Sequence, residues 1–327
     1  MEVFYEGKWG EARHDYPCAP LNIPPQRFHW YGAEWFVPGI YSCAQGVVFD
    51  LFTAVPMNEF RTFYEKCTAL ENGGTDFELE QAEAENPLDK SVQYRIIING
   101  KMCSEYSGRG STYVPGFEEV SCDEVNDVCA LLDAYGLSEK YPDRAWHHMR
   151  VQMPWATKRR PKEIHSFVLE LTAHDKMVAV PAVFEAAGDG AAPRDIPFSL
   201  PDGAAHVLRI LKSEKQELPE STHADDKGHR WPLAFSALTY TVEPELPSGV
   251  RLQIRDNGQS DKPVYIGEER EDGPAMIGGA IGVIFRMNRD QKELNTASSM
   301  YFTVPETIRW SVCLYAKPAE DTKVNMI

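Results

Sequence analysis

The densest group of side chains able to do chemistry is Phe28-His29-Trp30-Tyr31-Gly32-Ala33-Glu34-Trp35-Phe36, with five aromatics, a histidine and an acid in nine residues. Flat aromatic faces stack on the apolar faces of sugars or on other planar ligands, and a neighbouring imidazole and carboxylate hydrogen-bond the ligand's hydroxyls. Trp and Tyr also suit protein interfaces, being apolar at one end and polar at the other. His29, Trp30, Tyr31, Glu34 and Trp35 are therefore the candidate ligand contacts. The competing reading is that half of the segment points inward, into a core that Trp9 and Trp146 also help to build.

A second group is His223-Ala224-Asp225-Asp226-Lys227-Gly228-His229. His223, Asp225, Asp226 and His229 offer nitrogen and oxygen ligands to a divalent metal. The spacing matches no strong zinc pattern, and polar loops between prolines collect such residues by chance. His147-His148 precedes a strand-like run, so the two imidazoles face opposite ways and do not share one ion. His14 and Cys18 invite a Cys–His pairing that local sequence cannot establish. Gly278-Gly279-Ala280-Ile281-Gly282 looks like part of a phosphate loop, but strand-like residues follow where a helix is needed. Gly108-Arg109-Gly110-Ser111 reads as a loop. No nucleophile elbow, zinc-protease or Walker pattern is present, and no motif calls for a cofactor.

Two helices are expected to help position these groups. One follows Pro56, with Phe60, Phe63, Tyr64, Cys67 and Leu70 on one stripe and Asn72-Gly73-Gly74 as its stop. The other starts at the capping box Ser121–Glu124 and carries Val125, Val128, Cys129 and Leu132 toward a stop at Gly136. Asn99-Gly100 between two strand-like runs signals a hairpin with a type I′ turn. Residues 41–55 read as two strands about Ala44-Gln45-Gly46. The stretch from Glu71 to Lys90 carries seven acids and one base, and is expected to be mostly solvated with Phe77–Glu80 as a short edge strand. After residue 162 helical periodicity is absent. Alternating runs such as Val250–Arg255 and Ile308–Leu314, separated by turn signals, describe about eight half-buried strands.

Residues 1–155 hold 24 of the 36 aromatics, and a basic, proline-containing stretch, 156–162, follows. The resulting expectation is a mainly β chain of two domains. An aromatic-rich α+β N-terminal unit with two helices covers residues 1–157, and an antiparallel β-sandwich covers 158–327. With 49 acids against 33 Lys and Arg, the net charge of −16 argues against binding nucleic acid or an anionic membrane surface. No secretory leader is visible, and seven cysteines without a CxxC pair fit reduced thiols in the cytoplasm. The leading functional expectation is non-enzymatic binding of a carbohydrate or protein partner. Its rivals are a glycoside or ester hydrolase with a carboxylate pair in an interdomain cleft, and a structural subunit of a larger assembly. The oligomeric state is not legible in the sequence.

Overall fold

A computed structural model describes residues 2–6, 16–74, 76–103, 107–117, 125–157, 159–219, 229–265 and 293–327. The chain is mainly β, with antiparallel sheets and, among the described residues, four helices. It divides into two compact units. One comprises Met1–Gly73, Ala82–Lys176 and Lys317–Ile327; the other comprises Gly74–Gln81 and Met177–Ala316.

The first unit contains β1 (Val3–Tyr5), β2 (Tyr16–Pro20), β3 (Gln26–Trp30), β4 (Ala33–Val37), β5 (Ile40–Ser42), β6 (Gly46–Pro56) and α1 (Met57–Glu71). Along the chain follow α2 (Asp76–Ala84), β7 (Val92–Ile98), β8 (Lys101–Cys103), β9 (Ser107–Tyr113), α3 (Val125–Ala134), α4 (Leu137–Lys140), β10 (Arg144–Pro154) and β11 (Phe167–Ala173). The second unit holds β12 (Lys176–Ala187), β13 (Arg194–Ser199), β14 (Ala205–Glu217), β15 (His229–Arg230), β16 (Ala234–Glu243), β17 (Arg251–Asp256), β18 (Val264–Tyr265), β19 (Leu294–Ala297) and β20 (Thr307–Ala316). β21 (Thr322–Asn325) returns to the first.

β6 organises the first unit. Its nearly unbroken apolar run, Val47-Val48-Phe49-Asp50-Leu51-Phe52-Thr53-Ala54-Val55, is the pattern of a strand covered on both faces. It pairs with β10 from Gly46 opposite Pro154 to Pro56 opposite Arg144, while β5 and β4 share its other edge. On one face Val47, Phe49 and Leu51 pack with Tyr94, Ile96 and Leu169 of a second sheet, ordered β21-β11-β7-β8. On the other, Phe52 and Ala54 join Phe36 and Trp146 against Val128 and Leu132 of α3 and Leu137 of α4. The result is three layers: sheet, sheet and helices.

The Asn99-Gly100 turn has positive φ at both residues, 50° and 75°, as its sequence requires. Two expectations are corrected. The acidic stretch holds a helix, α2, in place of an edge strand, because Glu, Gln, Leu and Ala favour helix and Phe77 and Ala82 are buried. Gly108–Ser111 is part of a paired strand, β9, and not a loop. The capping box Ser121–Glu124, Trp9 and the glycines at 278–282 lie outside the described residues.

The second unit pairs two antiparallel sheets, as the alternation implied, while β11 and β21, within the 158–327 expected for the sandwich, lie in the first unit. A three-stranded sheet, β12-β20-β17, and a four-stranded sheet, β13-β14-β16-β19, enclose one core that includes Phe184, Phe198, Leu208, Tyr240 and Trp310. β17 alternates cleanly, with Leu252 and Ile254 in and Arg251 and Gln253 out. β20 alternates poorly because Ser311 and Cys313 are buried as well. Among the described residues no helix is long and apolar enough to cross a membrane.

At Gly46 a Cβ would stand 2.0 Å from the Met153 carbonyl oxygen, inside the β6–β10 ladder. Gly46→Ala is expected to cost about 1–3 kcal/mol or more by overpacking, whereas Gly73→Ala, which meets nothing within 4 Å, stays within about 0.5 kcal/mol of wild type. Urea denaturation of both variants measures the difference.

Candidate functional site

The described residues of the first unit hold a buried cluster and an open pocket of ionisable groups, and the two differ in kind. The first is centred on Asp50, the single charged residue of β6, whose side chain lies on the helix-facing side and is fully buried. The β6–β10 register places Arg150 directly opposite and His148 one diagonal step away, opposite Phe52. Asp50 Oδ1 accepts from His148 Nε2 and Arg150 Nε, both at 2.8 Å. Oδ2 accepts from Arg150 Nη2 at 2.9 Å and from the Tyr135 hydroxyl, just beyond α3, at 2.7 Å. Tyr135 spends its one proton there, so the Tyr41 hydroxyl at 3.1 Å is the donor to Tyr135. A carboxylate only accepts, so His148 carries its proton on Nε2.

Burial is the largest influence on the Asp50 carboxyl and would raise its pKa. The hydrogen bonds and charges of His148 and Arg150 outweigh burial and hold it down at about 2. Burial, then the adjacent Asp50 charge, pushes the Tyr135 phenol upward. A carboxylate with four donors and so low a pKa is a poor base and carries no proton to give at neutral pH. Its chemistry is structural: it locks β6, β10 and the end of α3 together.

The second arrangement is an open pocket of about 350 Å³ on the opposite face of β10, lined by Leu88, Lys90, Tyr94, Thr112, His147 and Met149, among others. His147 and His148 thus point to opposite faces, as strand alternation requires. Two glycines of the edge strand β9 keep the wall open. A Cβ at Gly110 would lie 3.1 Å from His147 Cε1, and one at Gly108 would lie 3.5 Å from the Met149 side chain. His147 Nδ1 is 3.3 Å from the Thr112 hydroxyl, and burial followed by the neighbouring His148 lowers its pKa. A neighbouring pocket of about 360 Å³ shares Asn86 and Thr112 and is walled by Phe60, Phe63, Tyr64 and Cys67 of the α1 stripe.

Lys90 is the conspicuous group in the first pocket. Its ammonium sits 4.6 Å from the Tyr31 ring centroid, a cation–π distance. Among the described residues it forms no ion pair. Lys176 donates to the Asn86 and Asp89 carbonyls nearby, at 3.3 and 3.1 Å. Burial, then the charge of Lys176, brings the Lys90 pKa down to about 8, although Glu59 and Asp89 pull it up.

The aromatic segment forms the hairpin β3–β4, with Trp30 paired to Ala33 across Tyr31-Gly32. Trp35 is 1% exposed, and its indole N–H donates to the Trp30 carbonyl at 2.8 Å. Trp30 is buried beside it and donates to the Glu320 carbonyl. His29 is exposed, and Glu34 pairs with Arg27 at 2.5 Å and Arg144 at 3.6 Å. Tyr31 alone of the five reaches the pocket chemistry, through Lys90. It has φ +51°, a left-handed conformation that costs a bulky residue about 1–3 kcal/mol. Its hydroxyl is buried with no partner among the described residues.

Of the metal candidates, His223, Asp225 and Asp226 lie outside the described residues. His229 packs edge-on to Tyr265 at 5.1 Å. Among the described residues no three of His, Cys, Asp or Glu gather in a metal-holding group. Sequence reasoning passed over Asp50, Arg150, Tyr135 and Lys90. For Asp50 there is a signal, a lone acid inside an apolar run; for Lys90 there is none, because its neighbours come from distant strands. Comparison with protein-family models, with curated proteins and with solved structures returns no match.

The lowered Asp50 pKa supports the fold above its unfolded value of 3.8, and that support is lost as pH falls toward about 2. It amounts to about 2 kcal/mol. In Asp50→Asn the acid limb of the stability–pH curve should flatten between these values, with a neutral-pH loss of roughly 3–5 kcal/mol from the uncompensated Arg150; denaturation at a series of pH values tests both. Trp35→Ala, read by the same method, should cost about 3–5 kcal/mol.

Proposed function

We propose that this chain is a binding protein whose first unit takes a small organic anion, such as a sugar acid or sugar phosphate, in the pocket beside Lys90. The observation that carries the reading is the Lys90 ammonium, half-buried in the pocket wall over the Tyr31 ring and without an ion pair among the described residues. A partly desolvated cation gains most from an incoming carboxylate or phosphate, because a charge-assisted hydrogen bond is strong where water is scarce. The strained Tyr31 turn supports the same reading. A residue such as Asn would fit φ +51° with less strain, so the ring is held there against a conformational cost. Thr112 and Tyr94 add a hydroxyl and an aromatic face for the remainder of the ligand.

The hydrolase reading requires a carboxyl whose pKa is raised. Among the described residues the carboxyls with displaced values, Asp50, Asp195 and Asp321, are all displaced downward. This favours binding over that chemistry.

Calorimetric titration with glucuronate and with glucose 6-phosphate, against neutral glucose, tests the proposal and separates the two anion chemistries. Either anion should bind with glucose silent, and Lys90→Met should weaken binding about 10- to 100-fold while leaving the melting temperature unchanged or higher. Glucuronate, which keeps one charge throughout, should bind with an affinity that is flat near pH 7 and falls by up to about tenfold per unit above pH 8, as the free Lys90 loses its proton. Anion binding that survives Lys90→Met undiminished, or glucuronate binding that rises between pH 7 and 9, would overturn it.

A further inference from the structure

A different part of the first unit carries an inference independent of the pocket. β2 and β5 are antiparallel neighbours, with Ala19 opposite Ser42 and Pro20 opposite Tyr41. One further step of that register sets Cys18 opposite Cys43. Directly opposed residues on antiparallel strands have Cα atoms roughly 4.5–5.5 Å apart, inside the roughly 4.4–6.8 Å that a disulfide spans. The Cys43 thiol adjoins Cys18 closely enough to act on its ionisation, and neither sulfur is in a disulfide. Cys18 is half-exposed whereas Cys43 is buried, so a reagent from solvent meets Cys18 first.

We propose that Cys18 and Cys43 are a disulfide-forming pair, oxidised by a low-molecular-weight disulfide such as oxidised glutathione. The Cys18 thiolate attacks the glutathione disulfide, forming a mixed disulfide and releasing one glutathione thiolate. The Cys43 thiolate then attacks the Cys18 sulfur, closing the protein disulfide and expelling the second. The two cysteine protons end on the two glutathiones, and the two electrons lost by the protein reduce one glutathione disulfide to two thiols. Burial and the neighbouring Cys43 push the Cys18 thiol up to about 12. The first attack is therefore slow at neutral pH and should accelerate by about tenfold per pH unit in mildly alkaline solution. The cross-link would enclose residues 19–42, the whole β3–β4 hairpin included.

The full-length protein is incubated with oxidised glutathione across pH 7 to 9, alkylated, and mapped by peptide mass spectrometry. The expected product has lost two hydrogens, joins the peptides containing Cys18 and Cys43, resists thermal unfolding better than the reduced protein, and reverts with dithiothreitol. Cys43→Ala, which removes the resolving thiol, should stop at a single glutathionyl adduct on Cys18. Cys18→Ser should show neither product at these positions. A wild-type protein that accumulates the mixed disulfide without closing it, or that joins Cys18 to another cysteine, overturns the proposal. The wild-type mapping decides this even if a variant fails to fold.

Discussion

The first unit depends on one buried ion cluster. A carboxylate inside a strand covered on both faces is tolerable only when every lone pair is used, and Asp50 reaches that state in a single strand register. Slipping β10 by one residue would turn Arg150 and His148 toward the other sheet and leave the charge alone under α3. The cluster is therefore better understood as a selector of register than as a source of net stability, since buried ion pairs seldom exceed the cost of desolvating them. The same choice of register sends His147 and Met149 to the opposite face. The pocket wall thus exists because the polar lock is where it is.

The pocket also depends on what β9 omits. It is the last strand of its sheet among the described residues, and Gly108 and Gly110 remove side chains on the side where His147 and Met149 stand. Glycine weakens a strand, so space gained this way comes with a less robust edge. On its other side β9 presents Arg109, which reaches Glu6 at 3.4 Å, and Ser111, buried opposite His148. Alternation along one short strand thus divides an open wall from a packed one.

Local pattern made much of this architecture legible. The Asn99-Gly100 turn, the α1 stripe, the strict alternation of β17 and the opposite facing of His147 and His148 each follow from a period or a turn preference within a few residues. What escaped was non-local or of the wrong sign. Tyr31-Gly32 closes a hairpin with a residue that propensity excludes from such a turn, so strain hid it. α2 escaped because its acids read as solvation, although Phe77 and Ala82 anchor it. Counting Phe28–Phe36 as a cluster of aromatics could not show that Trp30 and Trp35 donate their indole protons into the backbone around them. The convergence of Lys90, Tyr31 and His147 draws on three segments that only the folded sheets bring together.

The return of β21 to the first unit has a consequence for biosynthesis. β21 pairs with β11, and the Trp30 indole donates to the Glu320 carbonyl, so groups needed by the earlier unit are translated after the whole of β12–β20. As the polypeptide leaves the ribosome, the sandwich segment is complete while the older unit still lacks an edge strand and a cap on one tryptophan. The exposed side of β11 must wait, unpaired, through the synthesis of some 150 residues. A nascent chain of this topology needs that edge shielded until β21 emerges, and a premature stop shortly before Lys317 would release a finished sandwich tethered to an unfinished partner.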